Sequence, residues 1–436
     1  MIETKDKLPL ERTAALEARA QQVIPCITQT ASKRPNNFSP GRFPTYIERG
    51  QGSHVWDVDG NEYIDCFMAC GPAILGYAYP EVDQAIAEQL ARGIIFSRPT
   101  SLEVEVAERL TAMIPGAEGV RFLKGGAEAN SAALRIARAY TGREVVLICG
   151  YRGWHDQWAV LRDLPGIPRA LQSLTDGFEF NNLDSLRQAL GAHPGQVAAV
   201  IIDPVARYAP QPGFLEGVKE LTHKHGALLV FDEIVTGFRL AQGGAQEYYN
   251  VTADMAVFAK AIANGMPLSA VTGPHEILAA GDAISLTYGD EALSLAAAKA
   301  ALDVQMRDDV AGHLWRVGRT LQEGLQAALD ETGAPFALDA VAPMLVCVER
   351  ESFRGSPLSV GDRRRAWLYL LAELARRGVI HRRNSSFLLS YSHSDEDVAH
   401  VVNAFGEALA DLSDMLEAGR IEVEVADAPE PIFRRL

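Results

Sequence analysis

The residues best placed to do chemistry lie in four short segments. "LLVFDEIVTGFR", 228–239, runs from an apolar stretch straight into two acids, Asp232 and Glu233. "AVFAKAIANGMP", 256–267, puts Lys260 directly after a second apolar stretch. "GGAEANSAALRIARAY", 125–140, is a glycine pair opening a helical sequence, and "CGYRGWHD", 149–156, presents Tyr151 after a third apolar run. An acid at the carboxyl end of a strand buried on both faces sits where open α/β sheets place their ligands. Such an acid can hold Mg²⁺ beside nucleotide phosphates, or it can hold a proton on a ring nitrogen.

The nucleotide reading needs a phosphate loop, and GxxxxGK[ST] occurs nowhere in the chain; Lys124 precedes its glycines instead of following them. The second reading, a pyridoxal 5'-phosphate (PLP) site, needs four parts, and each has a candidate. Lys260 is a primary amine able to condense with an aldehyde. Asp232 can pair with a pyridinium. The Gly125-Gly126 turn leaves first-turn amides and a positive dipole end free for a phosphate. Tyr151 offers a face to lie on the ring. Each part also has an ordinary alternative: a solvated lysine, an acid that caps a helix, a common glycine turn, and Tyr151, Trp154 and Trp158 as core aromatics.

The pattern around these residues predicts what must position them. Short apolar strands at 144–148, 197–202, 227–231 and 255–258 alternate with helices, which implies a mainly parallel sheet covered by helices. "HVWDVDGNEYID", 54–65, reads as a hairpin turning at Asp59-Gly60. Thr100 and Glu103 form a prospective capping box before a helix whose Leu102, Val106, Leu110 and Met113 share one face. After about 300 the chain is helix-rich, with strands near 343–349 and 386–391 suggesting a smaller α+β domain, and "VADAPEPIFRRL" reads as a surface extension. The expected division is 1–95 for an N-terminal arm and part of the small domain, 96–305 for the large domain and 306–436 for the rest of the small one. Hydrophobic content of 48% and charged content of 22% are those of a globular protein. The formal charge of −15 argues against nucleic acid as a partner. No apolar run is long enough for a bilayer, the charged N-terminus has no secretory apolar core, and five scattered cysteines fit a reduced, cytoplasmic setting without a metal site.

Taken in order, these segments resemble the class III aminotransferases of PLP fold type I, most nearly the glutamate-1-semialdehyde aminomutase branch. The resemblance rests on "GPAILGYAYPEV" (71–82), "VRFLKGGAEANSAALRIARAYTGR" (120–143), "FDEIVTGFR", "AKAIANGMPLSAVTG" (259–273) and "SLTYGDEALSLAAAKAA" (285–301), and spans roughly residues 20 to 415. It implies a Schiff base on Lys260, which then carries the proton between the substrate α-carbon and the cofactor C4′. It implies that Asp232 holds the ring nitrogen, Tyr151 covers one ring face and Val235 packs behind the other. Gly126 and Ala127 would present amides to the phosphate, and Thr287 would reach it from a neighbouring subunit, giving a homodimer with composite active sites.

The departures from the family pattern are local. Gly125 and Ala127 stand where the family carries hydroxyl residues, so two side-chain hydrogen bonds to phosphate, each worth roughly 1.5–3 kcal/mol, are missing. Tyr-His-Gly is Tyr151-Arg152-Gly153 here, Glu-Pro is Asp203-Pro204, and Tyr208 stands at the position of a glutamate gate. Gly289-Asp290-Glu291 replaces the aminomutase's Gly-Asn-Pro, which points away from the haem-pathway enzyme itself. The candidates for reading a substrate carboxylate are Arg34 and Arg207, with Tyr208 beside the latter, and more distantly Arg382 and Arg383. The reading is a PLP aminotransferase that moves an amino group between an amino acid or amine and an aldehyde or ketone. An aminomutase or amino-acid racemase on the same scaffold is the alternative, and a non-catalytic PLP-fold dimer the second.

Overall fold

The structure, a computed structural model, describes residues 2–162 and 164–421; the "VADAPEPIFRRL" segment lies outside the described residues. The chain forms two compact units, one from residues up to Cys70, Ile74–Tyr79 and from His313 onward, the other from Gly71–Ala73 and Pro80–Gly312.

The second, larger unit holds a seven-stranded sheet. In chain order its strands are β1 (Gly119–Leu123), β2 (Val145–Cys149), β3 (Thr175–Gly177), β4 (Val197–Ile202), β5 (Leu228–Asp232), β6 (Met255–Phe258) and β7 (Ser269–Gly273). They lie in the order β1-β7-β6-β5-β4-β2-β3. β2, β3, β4, β5 and β6 are mutually parallel, and β7 runs antiparallel to both its neighbours. Every residue of β2, β4, β5 and β6 is buried, which explains why these strands read as unbroken apolar runs and not as alternations. A cluster of Leu134, Ile136, Val146, Ile201, Val230 and Val257 packs the helix Gly126–Thr141 onto the sheet.

The helix Ser101–Met113 begins at Thr100 as expected, and Val106, Leu110 and Met113 are its buried face. Its capping box does not form: the Thr100 hydroxyl makes no cap bond and is turned inward and buried. The helix Pro80–Leu90 packs along Ala292–Arg307, which ties it to the large unit although the sequence division at 95/96 groups it with the arm.

The other unit carries the hairpin: His54–Asp57 pairs antiparallel with Glu62–Asp65, around Gly60 at φ +88°. The turn residue Asp59 does more than turn the chain, because its carboxylate accepts the amides of Arg12 and Thr13 and so caps the arm helix Glu11–Val23 from a distance. Val346–Glu349 is a strand, but 386–391 is not. Ser386 makes one isolated bridge, and the following amides bond to three separate segments, at Leu345, Cys66 and Ile74. An extended segment that changes partner at every step has no single ladder to join. Trp367, Phe336, Phe387, Phe405 and Tyr63 are in this unit's core.

Candidate active site

Four neighbouring parallel strands end on the same edge of the large sheet, and each delivers a polar side chain there. Tyr151 and Arg152 follow β2, Asp203 follows β4, Asp232 ends β5 and Lys260 follows β6. With the helix start at Gly126 and Ala127, these residues line one cavity of about 390 Å³, together with Lys124, Gly153, Ile234, Val235 and Met266. The structure thus brings together Lys260, Asp232, Tyr151, Gly126, Ala127 and Val235, six of the residues singled out from the sequence.

Asp232 is buried, and its carboxylate accepts hydrogen bonds from a side-chain amide, a guanidinium and a backbone amide. Oδ2 accepts Asn130 Nδ2 at 2.8 Å and Arg152 Nη1, and Oδ1 accepts the Ile234 amide at 3.0 Å. That arrangement suits an anion and leaves it free to face a cationic ring nitrogen. Glu233, one residue on, points the opposite way, as successive residues of a strand must. It takes the Thr236 hydroxyl and the amides of Ala245 and Gln246, at 2.9 Å each, and burial pushes its carboxyl up to about 7. Of the two acids in the opening motif, one therefore serves the cavity and the other the fold.

Lys260 has φ +48°, a left-handed backbone that a residue with a Cβ adopts at a cost, and it begins the turn Lys260–Ala263. Conformations of this kind persist where surrounding structure imposes them, commonly at functional sites. The amides of Gly126 and Ala127 belong to the first turn of the helix Gly126–Thr141, where an α-helix supplies them no internal acceptor. The Lys124 and Gly125 amides are instead taken by Glu128, at 2.9 and 3.3 Å. A Cβ on Gly126 would lie 2.7 Å from Ile234 Cδ1, so the glycine lets the helix start close over the end of β5. Nothing lies within 4 Å of a Cβ on Gly125, so its missing hydroxyl is not forced by packing.

Gly153 has φ +126°, and a Cβ there would come within 2.3 Å of Ala127 Cβ. Gly153→Ala is therefore expected to push the helix start away and cost about 1–3 kcal/mol, read as a lower thermal midpoint. An unchanged midpoint would show that this contact does not hold the helix in place.

Other expected residues lie elsewhere. Thr287 is exposed and does not line the cavity. Arg207 and Tyr208 are exposed in the turn after Asp203-Pro204 and do not line it. Arg34 belongs to the other unit, between two short turns at Ala31–Lys33 and Pro35–Asn37, and Arg383 there pairs with Glu349 at 3.2 Å. Of the three aromatics, Trp158 is core, whereas Tyr151 and Trp154 are exposed, with the Arg162 guanidinium 4.7 Å from the Tyr151 ring centre. The sequence reading missed Asn130 and Ile234. An amide in the small-residue run "GGAEANSAAL" was the available signal for Asn130, and Ile234 shares the cavity lining with Val235.

The cavity joins an amine, a fixed carboxylate, aliphatic side chains and a helix N-terminus, and its volume is in the range that holds a small cofactor. These are the partners that the aldehyde, ring nitrogen, ring face and phosphate of PLP require.

Comparison with known proteins agrees. Residues 38–409 match the family described as aminotransferase class-III. The chain is 34% identical to a 3-aminobutyryl-CoA aminotransferase of Cloacimonas acidaminovorans, covering 94% of this chain and 100% of that one. It is 35% identical to a glutamate-1-semialdehyde 2,1-aminomutase 2 of Brevibacillus brevis, over 92% and 98%. A transaminase solved with PLP bound superposes with a TM-score of 0.86 at 28% identity, over 93% and 99%.

Proposed function

The chain belongs to the class III aminotransferases, PLP-dependent enzymes of fold type I, and from that premise we propose that Lys260 and Asp232 are its catalytic pair in a transfer between an amine donor and a carbonyl acceptor. The observation that carries the assignment is that an amine and a donor-ringed carboxylate, from the ends of adjacent parallel strands, face one cavity with a helix N-terminus beside it. PLP, when bound, supplies an aldehyde that condenses with primary amines and a ring that takes up electron density. Lys260 Nζ holds the cofactor between turnovers and then takes the proton from the amine-bearing carbon of the donor. Asp232 holds the proton on the ring nitrogen. Tyr151 would shield one ring face from water, and Ile234 and Val235 would pack on the other. The Gly126 and Ala127 amides bind the phosphate. Two half-reactions, donor first and acceptor second, give ping-pong kinetics.

The relatives favour an amine borne away from an α-carboxylate, such as a β-amino acid derivative, as donor. Among the described residues lining the cavity the only arginine is Arg152, which is committed to two aspartates and so offers no open fork to a donor carboxylate, α or β. The aminomutase relatives support one other reading, an isomerase on the same scaffold. An amine-donor screen that follows both loss of the bound cofactor's visible absorbance and release of a keto product separates them. A keto product formed one per donor supports transfer; none, with the cofactor spectrum returning by itself, supports isomerisation.

The active form proposed is a homodimer. Leu90, Ile94, Ile95 and Phe96 form an exposed apolar run, and the Ala292 amide, donating to the Ile94 carbonyl at 2.8 Å, ties it to the segment bearing exposed Thr287 and Tyr288. Exposed apolar side chains next to a polar loop suit contact with a second copy of the chain. With no hydroxyl at Gly125 or Ala127, the phosphate depends on Thr287 of the neighbouring subunit. Thr287→Ala is expected to weaken PLP binding roughly ten- to hundredfold in equilibrium dialysis. PLP should also strengthen the dimer in sedimentation, because ligand binding favours the state that completes the site. Unchanged affinity together with a PLP-insensitive dimer would refute the shared cradle. The five cysteines, none paired in a disulfide, support a reducing compartment such as the cytoplasm.

A further inference from the structure

One buried cation joins the two aspartates of the site. The Arg152 side chain is fully buried. Its Nη1 donates to Asp232 Oδ2 and, at 3.0 Å, to Asp203 Oδ1; its Nη2 donates to Asp203 Oδ2 and, at 2.8 Å, to the Cys149 carbonyl. Burial works against the charge of Arg152, but the two carboxylates outweigh it and hold its pKa above the ordinary value. Asp203 lines the cavity with a quarter of its side chain open. Burial raises its carboxyl above the usual range, while Arg152 pulls it back down. The other titratable groups nearby are Lys260 on the cavity side, Cys149 at the end of β2 and Glu233, which is turned away to Thr236 and the amides of Ala245 and Gln246.

We infer that Arg152 is a positioning residue: its guanidinium separates Asp203 from Asp232 and so presents Asp232, as an anion fixed in one orientation, to the ring nitrogen of the cofactor. The inference rests on the function proposed above. Two enclosed carboxylates that grip the same cation become close like charges once the cation is removed. Such a pair gives up one ionisation and shares a proton. A proton spent on that pair is charge lost to the pyridinium. The guanidinium makes four hydrogen bonds from two nitrogens in one plane, which the three donors of a lysine ammonium could not reproduce. Asp203 therefore anchors Arg152, and without Arg152 it competes with Asp232 for charge.

The test is a cycle of Arg152→Met, Asp203→Asn and the double variant. PLP dissociation constants are measured by equilibrium dialysis across the neutral pH range and expressed relative to wild type, which cancels titration of the free cofactor. Arg152→Met is expected to weaken binding about tenfold or more, with a ratio that grows as pH falls. Asp203→Asn alone leaves Arg152 on Asp232 and should stay within about threefold of wild type. The double variant has one carboxylate and nothing to repel it. It should recover most of the lost affinity and show a ratio flat in pH. If Arg152→Met does not fold but the double variant folds and binds, the repulsion is confirmed. A double variant as weak as Arg152→Met, or one that does not fold, would make Arg152 a packing residue and overturn the inference. So would a pH-independent loss in Arg152→Met. A wild-type protein that takes up no PLP would overturn the proposed function instead.

Discussion

Lys260→Ala is expected to abolish turnover while leaving the fold intact. Loss of a positioned acid–base group alone costs roughly 10²–10⁴-fold in rate, and here the same side chain also anchors the cofactor. The backbone at φ +48° is no harder for alanine than for lysine, since both carry a Cβ, so thermal unfolding should change little. The direct check uses the wild-type protein loaded with PLP. Borohydride reduction followed by peptide mapping should put the pyridoxyl mass on the peptide containing Lys260, and Lys260→Ala should carry none. A label on another lysine, or residual activity near that of wild type, would remove Lys260 from the mechanism.

Asp232→Asn is expected to lower kcat by roughly 10²–10³-fold at saturating PLP, the usual effect of removing a group that stabilises charge in the transition state. An amide cannot supply the negative charge that holds the ring-nitrogen proton. Breaking one side of a buried ion pair can cost about 3–5 kcal/mol when the other charge is stranded. Here Arg152 keeps both oxygens of Asp203, so the variant should lose less than that and still melt cooperatively. The two readouts are informative together. A stable variant with lost turnover assigns Asp232 to the chemistry. Near-normal turnover with a lowered thermal midpoint would reduce it to a structural cap for the end of β5.

Much of the site was legible because its signals are local. Asp232 closes and Lys260 closely follows an apolar run that reads as a doubly buried strand, and the glycine pair at 125–126 opens a helix in both sequence and structure. Where the sequence reading went astray, local propensity was overridden by packing. Thr100 has the residue type and the backbone of an N-cap, but its hydroxyl is buried facing inward. Residues 386–391 have strand composition, but three different segments compete for their amides.

By itself the sequence determined the strand ends, the helix start and the amine and acid they carry, because these follow from hydrophobic runs and turn residues a few positions apart. The tertiary structure alone decided how the acid is held. Arg152 meets Asp203 across 51 residues and Asp232 across 80, and Asn130 meets Asp232 across 102. Those meetings depend on strand order, with β4 between β2 and β5, so that three carboxyl ends stand side by side. No local pattern encodes that order, which is set by how the whole sheet buries its two faces under helices. A sequence can therefore name the acid, while only the assembled sheet shows that one buried arginine bonds both it and a second aspartate.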